Sequence, residues 1–170
     1  SFQESIEGLY HQRVLYPEIT DSTESEEEWI MVIKYNGYFY LYEKKRLEAA
    51  GRVFLNYFKI SKDINFYLAS IGKDEISKEN MRAFNKNDVT DVVTLPIYSN
   101  FNELCSEKNT DGFVGDILIH RPEIRKNALA YSKTMIEELE LVVVHGMLHL
   151  FGFTHINEKL LTNHQNKIMK

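Results

Sequence analysis

The twelve residues from Leu139 to Leu150, LELVVVHGMLHL, are apolar around most of a helical circumference. A helix of that kind is buried on nearly every side, so the rest of the chain has to fold around it. Thr134 followed by Glu137 forms a capping-box pair that opens the helix, and Gly152 closes it by taking a left-handed backbone. His145 and His149 interrupt the apolar run. Being four apart, they leave the same helical face about one turn from each other. Beyond Gly152 the chain folds back and His155 approaches the same point from a loop. A His-x3-His pair by itself more often packs than binds, and the third histidine tips the reading toward one metal ion. Three imidazoles leave a fourth tetrahedral position open, the arrangement of a catalytic rather than a structural zinc site. His11, His120 and His164 have no such spacing and read as ordinary surface or partly buried histidines.

The residue after the first histidine narrows the chemistry. Zinc proteases of the H-E-x-x-H type place a glutamate there as general base, and here the position is Gly146. Glycine takes no proton from water. A divalent ion still lowers the pKa of a water to about 7 and acts as a Lewis acid on a carbonyl or phosphoryl oxygen. A hydrolase of something other than peptides is therefore favoured, with a metalloprotease or amidohydrolase drawing its base from elsewhere as the alternative.

With 170 residues, 44% of them hydrophobic, the chain supports one domain with its own core. Cys105 is the single cysteine, which excludes an internal disulfide and fits a reducing compartment. The sequence has no apolar stretch near the ~20 residues that span a bilayer and no signal-peptide pattern, so a cytoplasmic protein without a membrane partner is expected. The net charge of −5 is unevenly spread. Residues 1–28 hold eight acids against Arg13 alone, whereas residues 29–170 hold 17 acids and 19 bases. The expected organisation is an acidic, loosely ordered arm over residues 1–28 and a near-neutral domain over 29–170, with room for a local basic cleft.

Trp29 to Tyr42 is rich in aromatic and β-branched residues around Asn36-Gly37, which predicts a two-stranded hairpin. Leu47, Ala50, Val53, Phe54, Tyr57 and Phe58 recur at helical spacing, and Ile64 to Ile71 reads as a strand. A helix follows that Asp74 could cap and that ends near Phe84. Thr90 to Tyr98 and Phe113 to Ile119 are further strands, separated by the polar loop Ser99 to Asp111. Pro122 introduces a basic helix, and a last helix runs from about Asn157 to Met169. Strands and helices mix without strict alternation. The predicted class is α+β, a mixed sheet with packed helices and a buried central helix carrying the metal-binding histidines.

The run His145 to His155, H-G-M-L-H-L-F-G-F-T-H, resembles the H-G-x-L-H-L-x-G-Y-D-H signature of the YbeY family, metal-dependent endoribonucleases of ribosomal RNA maturation. Thr90-Asp91-Val92-Val93-Thr94-Leu95-Pro96 is similar to that family's T-[DN]-V-L-[ST]-F-P strand, and Gly115-Asp116-Ile117 to its G-D-[IL] strand. The likeness spans roughly residues 60–170. Thr154 and Phe153 stand where the family usually has aspartate and tyrosine. The family's arginine before the Thr-Asp-Val strand has no counterpart, and Asn85 or Lys86 occupies its region.

The resemblance implies a zinc-dependent, single-strand-directed endoribonuclease that trims precursor ribosomal RNA and works near the ribosomal small subunit or its proteins, with no role on DNA. One Zn2+ would be held by His145, His149 and His155. Water or an RNA 2′-hydroxyl would attack phosphorus. Asp91 and Asp116 are candidate bases, although a strand-end aspartate also serves as a turn acceptor or as a partner of a ligand histidine. Lys86, Arg121, Arg125 and Lys126 are candidate phosphate contacts, with exposed aromatics stacking on unpaired bases. Against these stand a solvated surface for the cations, and an RNA-binding factor with a structural zinc for the whole.

Overall fold

The structure is a computed structural model that describes residues 28–154 and 158–170. The acidic arm, but for Glu28, and His155 lie outside the described residues.

Four strands make one mixed sheet in the order β1-β2-β4-β3, where β1 is Met31–Asn36, β2 Ile64–Ser70, β3 Val92–Pro96 and β4 Phe113–Ile119. The first three in that order run parallel and β3 lies antiparallel on β4. Among the described residues six helices accompany them: α1 Leu41–Tyr57, α2 Lys73–Phe84, α3 Phe101–Cys105, α4 Arg121–Ala130, α5 Met135–Leu150 and α6 Glu158–Ile168. The α+β class and the strands β2 and β4 match the sequence pattern closely.

The predicted hairpin does not form. Gly37 does turn the chain, with φ 88°, but the residues after it lead into α1 instead of a second strand. The Glu43 carboxylate accepts from the Tyr40 N–H at 2.9 Å and caps the start of that helix. Phe39 is buried and its ring meets Tyr35 at 5.0 Å. Strand β1 pairs with β2, Met31 opposite Ile64, across a helical crossover. Two further differences are local. Gly72, not Asp74, is the N-cap of α2, and the loop from Ser99 contains α3, capped by the Asn100 side chain accepting from the Glu103 N–H at 2.9 Å.

The core lies between the sheet and the pair α1 and α5. Leu47 and Phe54 of α1 and Val143, Met147, Leu148 and Leu150 of α5 are buried against Ile64, Phe66, Leu68, Ile117 and Ile119 of the strands. Beyond the end of α5, Phe151 packs edge-on against Phe54 at 4.6 Å. The capping box at Thr134 forms in both directions: its N–H donates to Glu137 Oε2 at 2.7 Å, and its hydroxyl accepts from the Glu137 N–H at 3.3 Å. At the other end Gly152, φ 89°, lets the Phe153 N–H reach back to the Leu148 carbonyl at 3.0 Å.

Where α5 crosses the sheet, Gly146 faces it. A Cβ there would come within 2.9 Å of Ile117 Cδ1 and 3.2 Å of Thr94 Cγ2. The absence of a side chain sets how closely the central helix approaches β3 and β4, and so how deep its histidines sit.

Candidate active site

Along α5 the residues between His145 and His149 are buried, whereas the two histidines themselves are half-buried. Both rings point into one cleft of about 710 Å³, bounded by α5 on one side and by the segment joining α2 to β3 on the other. The two Nε2 atoms are 2.9 Å apart and the ring centroids 4.6 Å. Two ring nitrogens so close must share either a proton or a cation. Two imidazole nitrogens on one zinc at ~2.0–2.1 Å and a tetrahedral angle are about 3.4 Å apart, so the pair needs to open by only about half an ångström. His145 and His149 fit two corners of such a site. Among the described residues no group of three or more His, Cys, Asp or Glu side chains is assembled as a metal cage, and His155 lies outside that set.

Asp91 and Lys86 line the same cleft, together with Phe84, Glu138, Thr154 and Gln165. The Asp91 carboxylate accepts from the Thr90 hydroxyl at 3.2 Å and the Asn127 amide at 3.3 Å, which holds it in place at the mouth of β3. Lys86 is exposed. It follows Asn85, whose left-handed backbone at φ 55° ends α2 and turns the chain toward the cleft. Phe84, 51% exposed, presents an aromatic ring beside it. Glu138 is buried and pairs with Lys133 at 3.3 Å.

The remaining sequence candidates are elsewhere. Asp116 sits next to Ile117, which reaches Gly146 of the central helix. Successive strand residues alternate faces, so Asp116 points away from α5 and its histidines. Burial raises its carboxyl above the ordinary range. Arg121 is committed to another task. Its guanidinium forks onto the buried Glu43 at 3.0 and 2.9 Å, donates to the Tyr38 carbonyl at 3.0 Å and lies 4.8 Å from the Phe39 ring centre. The sequence shows a basic helix start; it does not show that the base is consumed from within. Arg125 and Lys126 are exposed on α4, Lys126 within 3.5 Å of Glu123, and neither lines the cleft.

The sequence reading missed Gln165 at the site and took its neighbour His164 for an ordinary histidine. Gln165 of α6 places its Oε1 3.0 Å from His145 Nδ1. His164, beside it, is buried rather than ordinary, 4% exposed, with its Nδ1 2.7 Å from the Tyr57 hydroxyl. Their one sequence signal is membership of the last predicted helix.

A family model described as Endoribonuclease YbeY matches residues 41–170. A protein of Mycoplasma capricolum subsp. capricolum named Endoribonuclease YbeY is 28% identical over 132 residues, covering 75% of this chain and 78% of its own. One of the same name from Fusobacterium nucleatum subsp. nucleatum is 30% identical over 145 residues, covering 80% and 86%. The solution structure of a Thermotoga maritima protein superposes with a TM-score of 0.54 at 24% identity, over 81% of this chain and 87% of that one, and shows a shared fold.

Proposed function

The chain belongs to the YbeY family of endoribonucleases, and from that premise we propose that it cuts single-stranded RNA in the cleft of His145 and His149. We place its substrate among ribosomal RNA precursors in the cytoplasm, close to the small ribosomal subunit. The metal is one Zn2+, and His145, His149 and His155 are its ligands. The observation that carries this reading is the convergence of the two Nε2 atoms at 2.9 Å inside one cleft.

The zinc, when bound, supplies positive charge against the phosphoryl oxygens and acidifies a water. The chain supplies the rest. Lys86 at the rim meets backbone phosphate, and Phe84 offers a face on which an unpaired base stacks. Of the three carboxylates that line the cleft, Asp88 is exposed on the segment between α2 and β3 and Glu138 is ion-paired with Lys133. Asp91, half-buried beside the start of β3 and held by the Thr90 hydroxyl and the Asn127 amide, is the candidate to take the proton from the attacking hydroxyl.

Labelled single-stranded RNA, the same RNA as duplex, and casein are incubated with zinc-loaded protein, with His149→Ala as control. Cleavage of the single strand that disappears in the control and on chelation is expected. Casein cleavage alone would replace the reading with a peptidase, and a metal-stabilised protein that cuts neither would leave a structural zinc. In the same assay Lys86→Ala is expected to lower the salt slope of RNA affinity by about one, while Lys126→Ala leaves it unchanged.

A further inference from the structure

The hydrogen bond between α6 and the first histidine bears on which ring nitrogen carries the lone pair. The Gln165 amide faces the ring through Oε1, 3.0 Å from Nδ1 of His145; an amide oxygen accepts, and in this arrangement Nδ1 carries the hydrogen. A neutral imidazole with a hydrogen on Nδ1 has its lone pair on Nε2, the atom that faces His149 Nε2 at 2.9 Å. The bond also limits rotation of the ring about its last torsion. Gln165 is uncharged, and it therefore orients His145 without adding a carboxylate to the cleft.

Gln165 is itself held by its neighbour. His164 sits in an aromatic cage, with ring centres of Phe153, Phe58 and Tyr57 at 5.1, 5.4 and 5.5 Å, and it is bonded to the Tyr57 hydroxyl at 2.7 Å. Ile168, one turn on, is buried as well. Successive helical residues leave the axis about 100° apart, so locking His164 and Ile168 inward sets the rotation of α6 that turns Gln165 toward α5. Tyr57 belongs to α1 and His145 to α5, and α6 thereby ties the first helix of the domain to the histidine pair.

We propose that Gln165 is a positioning residue that sets the tautomer and orientation of His145, with the Tyr57–His164 pair holding it in register. The effect on metal rests on the reading that the two histidines share an ion; the tautomer does not.

Two measurements on the full chain separate these parts. Ring-nitrogen NMR of the metal-free protein at mildly alkaline pH reads the tautomer directly: His145 is expected to be protonated at Nδ1, and to become a mixture of tautomers in Gln165→Leu. Titration with Co2+, followed by its visible absorption, reads the site's affinity. Gln165→Leu is expected to bind roughly 10–100-fold more weakly, and Gln165→Glu, which keeps an acceptor at that place, to recover most of the loss. The melting temperature of the metal-free variants, expected to stay near that of the parent, guards against a merely structural effect.

Protonation at Nε2 in the parent would overturn the proposal, as would Co2+ affinity unchanged in Gln165→Leu or equally lost in both variants. A parent that binds no Co2+ while showing the expected tautomer would instead overturn the metal reading and leave the positioning of His145 standing.

Discussion

Gly146 shows why one residue after the first histidine separates this site from a zinc protease. Its Cα faces β3 and β4, where even a methyl group meets Ile117 and Thr94 within about 3 Å. A glutamate there would point at the sheet rather than at the cleft. Gly146→Glu is expected to destabilise the fold by more than ~3 kcal/mol, from overpacking and a buried charge together, and to yield no peptidase; urea denaturation and a casein assay check both. Arg121 makes the same point for a cation. Glu43 is 1% exposed and has this guanidinium as its ion-pair partner, so Arg121→Ala leaves a buried carboxylate uncompensated. The expected cost is roughly 2–4 kcal/mol, less than for a fully buried pair because the Arg121 side chain keeps 21% of its surface exposed. The salt slope of RNA affinity stays unchanged, which tells this arginine apart from a phosphate contact.

At the scale of elements, α5 is legible in the sequence because its signals are local. A capping box, an apolar circumference and a terminal glycine all lie within nineteen consecutive positions, Thr134 to Gly152. Thr134→Ala is expected to cost about 1 kcal/mol, seen as a lower denaturation midpoint with an unchanged slope. The partner of β1 was misread because the Asn-Gly signal specifies a turn and says nothing of what the chain meets next. Aromatic residues after the turn suit a strand by propensity. Here Phe39 is buried near Tyr35 and Glu43 caps a helix, and the gain from tertiary packing outweighs the local preference. Helix α6 is the opposite case, visible as a helix but silent about its partners.

Across the whole molecule, burial of His164 couples pH to stability. Desolvation, with a smaller contribution from the charge of Lys167, lowers its pKa below the ordinary 6.5. In a window below that value the unfolded chain binds a proton that the folded chain does not. His164 therefore imposes no penalty above the unfolded pKa, and folding weakens as pH falls through it. Stability measured by denaturation is expected to decline from neutral to mildly acidic pH, and His164→Phe, which keeps the aromatic packing, to flatten that decline. What the sequence alone determined is the set of features that a few neighbouring residues encode: the central helix, the strands β2 and β4, and two histidines on one helical face. The tertiary structure alone decided that β1 pairs in parallel, that Asp116 faces away from the cleft while Asp91 lines it, that Arg121 answers Glu43, and that Gln165 meets His145. Each of these is a contact between residues 20 to 78 positions apart, or a choice of sheet face, and such contacts are selected by competition for buried space and hydrogen-bond partners across the fold.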